Sequence, residues 1–125
     1  MARILIAEDE ETLCALCARA LRSDGHEIKT APDGGEALDV LMRERGRFDL
    51  LLTDIRMPIM DGIALALAAA RDFPELTILL MTGYADQRER AQGLDALIHD
   101  VITKPFTVAT LRDAVNGALA VKARA

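Results

Sequence analysis

Five side chains able to do chemistry stand at four points where this sequence changes character: Glu8 and Asp9, Asp54, Thr82, and Lys104. Each point ends a short apolar run. Leu50, Leu51 and Leu52 lead to Thr53-Asp54, a run too short for a helix and unbroken by polar residues, which is how a strand covered on both faces reads. Pro58 and Gly62 then punctuate a loop that neither strand nor helix continues through. Ile4-Leu5-Ile6 likewise runs into Glu8-Asp9, Leu76 to Met81 into Thr82-Gly83, and Val101 to Thr103 into Lys104-Pro105-Phe106. Brought together, these ends would hold three carboxylates, a hydroxyl and an ammonium group. Crowded carboxylates repel, so at least one keeps its proton unless a counter-charge is present, and a divalent cation supplies that charge. Singly, the residues have plainer readings: Glu8-Asp9 as acidic groups favoured by a helix dipole, Lys104 as a surface lysine before a turn. Jointly, at four element ends, they point to one pocket.

The elements that must position them alternate. Arg3–Ala7 predicts a first strand, and Thr12–Ser23 a helix closed by Asp24-Gly25. Glu27–Thr30 predicts a short second strand. Asp33-Gly34-Gly35 leads into an amphipathic helix over Glu36–Arg45, with Ala37, Leu38, Leu41 and Met42 on one face. After the third strand, Ala64–Arg71 reads as an Ala/Leu-rich helix stopped by Phe73-Pro74, and Leu76–Met81 as a fourth buried strand. Asp86–Leu94 reads as a charged helix, Val101–Thr103 as a fifth strand, and Val108–Ala120 as a last helix with Thr107 as its N-cap. Such alternation implies an α/β domain of the flavodoxin-like, (βα)5 doubly wound kind, with a five-stranded parallel sheet in the order 2-1-3-4-5. That order sets strands one, three and four side by side, with the five groups at one edge.

The 125 residues suit one domain, read as 1–120 with a C-terminal tail at 121–125 and no output domain. A net charge of -5 argues against nucleic-acid binding, no apolar run approaches a membrane span, and the N-terminus lacks a signal peptide's layout, which together suggest a cytoplasmic protein. Cys14 and Cys17 form a C-x-x-C, but Cys17 belongs to the apolar series Leu13, Leu16, Cys17, Ala20, Leu21, so both read as core residues rather than a redox pair.

The combination resembles the receiver (CheY-like) domain of two-component response regulators, over essentially the whole chain. The likeness is carried by Glu8-Asp9 after the first strand, Asp54 in D-x-x-M-P-x-x-D-G, Thr82-Gly83, and Lys104-Pro105-Phe106. The stretches from Leu51 to Gly62 and from Met81 to Ala91 narrow it toward CpdR-type single-domain regulators.

The resemblance implies Mg²⁺ as cofactor, held by Asp9 and Asp54, by Glu8 directly or through water, and by the backbone carbonyl of Arg56. It implies Asp54 as the phosphoacceptor, served by a histidine kinase or histidine phosphotransferase, with Lys104 neutralising charge after a cis bond to Pro105. Gly83 leaves room for the phosphoryl group, and Thr82 is the switch whose hydroxyl moves toward it. One departure stands out: receivers usually carry an aromatic three residues before the lysine, and here that residue is Val101, leaving Tyr84 either to report phosphorylation or to gate water. The output surface would include Gln87, Arg88, Arg90 and Gln92. The narrower likeness implies a monomeric adaptor for ClpX and the ClpXP protease; the alternative is a phosphorelay intermediate. An enzyme of the haloacid-dehalogenase type would need a second Asp where Arg56 stands.

Overall fold

The computed structural model describes residues 1–83, 91 and 93–124. Five strands form one parallel sheet: β1 (Arg3–Ala7), β2 (Glu27–Ala31), β3 (Leu50–Asp54), β4 (Thr77–Thr82) and β5 (Asp100–Thr103), in the order β2-β1-β3-β4-β5 expected from the sequence. Among the described residues four helices pack on it: α1 (Glu11–Ser23), α2 (Gly34–Arg43), α3 (Gly62–Asp72) and α4 (Val108–Arg124). The predicted helix over Asp86–Leu94 lies outside the described residues except for Ala91, Gly93 and Leu94. None of the described helices is long and apolar enough to cross a membrane.

Strand alternation divides the core in two. Leu5, Leu51, Ile78 and Leu80 face α2 and α3, whereas Ile4, Ile6, Leu50, Leu52, Leu79 and Met81 face α1 and α4. Because side chains on a strand alternate faces, an unbroken apolar run is what a sheet covered on both sides demands. Register completes the placement. Ala7 pairs with Thr53, Asp54 with Met81, and Thr82 with Thr103, so the residues just past each strand share one edge.

Helix starts differ from the sequence reading, and the reason is capping. Asp33 is extended at φ -156° and its side chain accepts from the Glu36 amide at 2.8 Å, so α2 begins at Gly34 rather than Glu36. Asp61 accepts from the Ala64 amide at 2.8 Å, and α3 begins at Gly62 rather than Ala64. An aspartate cap satisfies an amide that has no intrahelical partner, so the helix starts right after it even where glycine follows. Thr107 caps α4 as predicted, accepting from the Thr110 amide at 3.1 Å, and α4 runs four residues past the expected end. At the other end of α2, Arg45 (φ 56°) and Gly46 (φ 68°) are left-handed, which ends that helix at Arg43 rather than Arg45. Two helix faces were also read too wide. Leu16 is 47% and Met42 58% exposed, each on the rim of its helix's apolar stripe.

Gly62 marks where fold and site meet. A Cβ there would lie 2.0 Å from the carbonyl oxygen of Asp54 and 2.9 Å from Cα of Ile55, backbone atoms that cannot swing aside. Gly25, left-handed at φ 92°, has open space around it. Gly62→Ala is therefore expected to cost about 3 kcal/mol in a urea titration, against about 1 kcal/mol for Gly25→Ala. Equal costs at the two positions would mean that α3 does not press on the backbone of Asp54.

Candidate functional site

Four strand ends deliver the site. β1 ends at Ala7, and the chain turns with the Glu8 amide bonded to the Ala31 carbonyl at 3.0 Å, which leaves Glu8 2% exposed and Asp9 exposed. β3 ends on Asp54, 6% exposed, and β4 on Thr82, fully buried. The Thr82 carbonyl accepts from the Lys104 amide at 2.7 Å, tying the residue after β5 to the end of β4. The Lys104-Pro105 bond is cis.

Lys104 Nζ donates to Glu8 Oε1 at 2.8 Å and lies 3.2 Å from Asp54 Oδ1. Asp54 Oδ1 also accepts from the Ile55 amide at 3.0 Å, and Glu8 Oε2 from the Glu10 amide at 3.1 Å. Among the described residues, no hydrogen bond is made to Asp54 Oδ2. Glu8, Asp9 and Asp54 each place a carboxylate oxygen within 4.8 Å of the other two. The structure thus brings together Glu8, Asp9, Asp54 and Lys104, with Arg56, Gly83 and Pro105 lining the same cavity of about 800 Å³. A Cβ on Gly83 would meet Lys104 at ordinary contact, 3.8 Å from its Cβ, so bulk there would build against the lysine. Val101 sits apart from this set, half-buried and paired with Leu80 on the α2/α3 side of the sheet. Tyr84 and the surface residues Gln87, Arg88, Arg90 and Gln92 lie outside the described residues.

Burial drives the electrostatics. It pushes the Glu8 carboxyl up from its ordinary range to about 7; the hydrogen bonds from Lys104 and the Glu10 amide pull it back, and the charge of Asp54 adds to the rise. Burial also raises Asp54, against the pull of Lys104 and the Ile55 amide. Burial alone would lower the Lys104 ammonium, but the hydrogen bond to Glu8 and the charges of Asp54 and Glu8 outweigh it and the net direction is up. Near neutral pH the pocket is therefore short of positive charge. Its donors are all oxygen and anionic, which fits a hard divalent cation of the Mg²⁺ type better than a soft metal. The two cysteines take no part. Burial raises both thiols, Cys17 to about 11; Cys17 is a core residue as expected, whereas Cys14 is only half-buried at the core's margin.

One part of the site escaped the sequence reading. The cavity continues from Asp54 along an apolar rim of Leu13, Leu16, Pro105 and Phe106. Leu16 was assigned to the core by its spacing. Its place at the edge of the stripe, next to the buried Cys17, is the only sequence signal that could have separated it.

The family model "Response regulator receiver domain" matches residues 4–116. The chain is 39% identical to the response regulator receiver protein CpdR of Brucella abortus over 116 residues, covering 93% of this chain and 92% of that protein. It is 34% identical to the transcriptional regulatory protein TcrA of Mycobacterium tuberculosis, of whose length it spans only 41%. Among solved structures, a CheY-like receiver domain protein of Methanospirillum hungatei superposes with a TM-score of 0.90 at 28% identity, over 99% of this chain and 98% of that one. The response regulator TrrA of Thermotoga maritima, solved in complex with Mg(2+)-BeF, superposes with a TM-score of 0.84 at 30% identity, over 95% of this chain and 100% of that one.

The raised Glu8 carboxyl makes stability depend on pH with a definite sign. A carboxyl that is harder to ionise when folded contributes most while protonated, below its ordinary 4.5, and that contribution fades as pH rises through about 7. Metal-free protein should lose up to about 3 kcal/mol over that window on Glu8's account. Glu8→Gln should flatten this loss when urea unfolding is followed in chelator at a series of pH values. An undiminished slope in Glu8→Gln would place the pocket's proton elsewhere.

Proposed function

This chain belongs to the response regulator receiver domain family, and we propose that it accepts a phosphoryl group on Asp54 and thereby changes which protein it binds. The observation that carries the reading is Lys104 Nζ lying 3.2 Å from a buried Asp54 carboxylate flanked by Glu8 and Asp9. Oδ1 is engaged by Ile55 and Lys104, so Oδ2 is the oxygen left to attack. It bonds to the phosphorus of a phosphohistidine, the P–N bond to the donor breaks, and an acyl phosphate forms on Asp54. The imidazole leaves with the bonding pair and takes up a proton. Lys104 follows the charge from the carboxylates to the phosphoryl oxygens. Glu8, Asp9, Asp54 and the Arg56 carbonyl would hold Mg²⁺, whose contribution is to neutralise charge on the phosphoryl group. A donor histidine must reach Asp54 past Leu13, Leu16 and Phe106, so that rim is where the donor protein sits.

The switch is Thr82. Its hydroxyl gains a charge-assisted hydrogen bond to the new phosphoryl group, worth about 1.5–3 kcal/mol, or roughly 10- to 150-fold in a two-state equilibrium. Val101 is too small to be the aromatic relay of other receivers, which leaves Tyr84 as the residue that reports the change. The likeness to CpdR over 92% of that protein's length supports an output by protein binding, with the ClpX component of ClpXP as the partner of the unphosphorylated form.

Two measurements test this. Incubation with Mg²⁺ and a small phosphodonor should add one phosphoryl mass to the wild type and none to Asp54→Asn, and Lys104→Ala should slow the addition about 100-fold. Leu16→Arg should leave that labelling intact while slowing transfer from a phosphohistidine protein; labelling of Asp54→Asn would overturn the nucleophile.

For the output, binding of the wild type to ClpX should weaken about tenfold or more on phosphorylation, and both Thr82→Ala and Tyr84→Ala should blunt that change. Fast return of the phosphoryl group to a phosphotransferase, with no ClpX binding in either state, would make the chain a relay instead.

A further inference from the structure

At the opposite edge of the sheet from Asp54 the charge balance reverses. In a chain of net charge -5, a depression of about 270 Å³ is lined by five residues only: Arg3, Arg43, Glu44, Arg45 and Arg47. Four cations thus line the hollow with one carboxylate, and that carboxylate is committed to Arg3 and Lys29. Glu44 Oε1 takes Nη2 of Arg3 at 2.5 Å and Oε2 takes Nζ of Lys29 at 2.7 Å. Arg3 is fixed on every side: its guanidinium also bonds Glu27 at 2.6 Å and the Arg47 carbonyl, and stacks 4.6 Å over the Phe48 ring. The side chains of Arg43, Arg45 and Arg47 are exposed and, among the described residues, pair with no acid. The left-handed pair Arg45 and Gly46 turns the chain just past α2, so that residues on both sides of the turn line one depression. A second depression of about 510 Å³, reaching Lys29 and Thr30, adjoins it through Arg43 and Glu44.

Every lining residue of the first depression is charged, so an apolar peptide side chain or ring gains nothing there. Guanidinium forks match phosphate oxygens two at a time, and several around one hollow suit an elongated, multiply charged anion better than a single phosphate. We propose that this basic hollow at the N-terminal edge of the sheet binds a small anion carrying two linked phosphate groups. Asp54 lies at the far end of β3, about 13 Å from the strand's first residue, so an anion in the hollow does not touch the acidic pocket.

Isothermal titration with inorganic diphosphate, in chelator and at constant ionic strength, tests the proposal. Wild type and Asp54→Asn should both bind saturably with one site. The double variant Arg45→Gln/Arg47→Gln should lose at least tenfold in affinity while keeping its circular dichroism spectrum and unfolding midpoint. Sulfate and monophosphate should bind at least tenfold more weakly than diphosphate. The proposal is overturned if wild type shows no saturable heat, if the double variant binds as well as wild type, or if sulfate matches diphosphate. It is also overturned if a glutamate-rich peptide binds the arginines and diphosphate does not, which would make the hollow a docking site for an acidic protein. Because Asp54→Asn keeps the hollow intact, failure here leaves the phosphoacceptor reading untouched.

Discussion

The buried ion cluster of Lys104, Glu8 and Asp54 is the constraint to which the rest of this structure answers. Two carboxylates and one ammonium lie nearly out of water, and the lysine is shared at 2.8 and 3.2 Å. Taking such groups out of water costs several kcal/mol each, and one cation does not balance two anions. Fixed backbone amides help to hold the arrangement, that of Glu10 on Glu8 Oε2 and that of Ile55 on Asp54 Oδ1. A site held in this way is deficient in positive charge until something supplies it.

The sheet makes that arrangement possible at tolerable cost. Glu8, Asp54, Thr82 and Lys104 come from four segments far apart in sequence, yet backbone pairing puts them within reach because parallel strands end on the same side. The two apolar faces behind them bury six large residues of β1 and β3 alone, Ile4, Leu5, Ile6, Leu50, Leu51 and Leu52, completely. Burial of that order gives the domain the rigidity to keep like charges together.

Much of this was legible in the sequence. The strand order and the convergence of Glu8, Asp9, Asp54 and Lys104 followed from apolar runs ending in polar groups, a signal that does not depend on tertiary detail. What escaped was of three kinds. Periodicity finds the middle of a helix's apolar stripe but not its edge, so Leu16 and Met42 were placed in the core although they are 47% and 58% exposed. Helix starts were set after glycines, whereas the Asp33 and Asp61 caps begin α2 and α3 on them. The arginines at 43, 45 and 47 carry no signal of their own in the sequence, because nothing local says that Arg3, forty residues earlier in the chain, has already claimed Glu44.

The loop after Asp54 is closed at its base. The Gly62 amide bonds the Ile55 carbonyl at 2.7 Å, and α3 presses directly on the backbone of Asp54. Between these pins the loop turns Met57 back into the core and Ile59 outward, 86% exposed and left-handed at φ 70°. One short loop thus serves two ends: its buried residues anchor the strand that carries the reactive oxygen, and its outermost side chain stands clear of it in solvent.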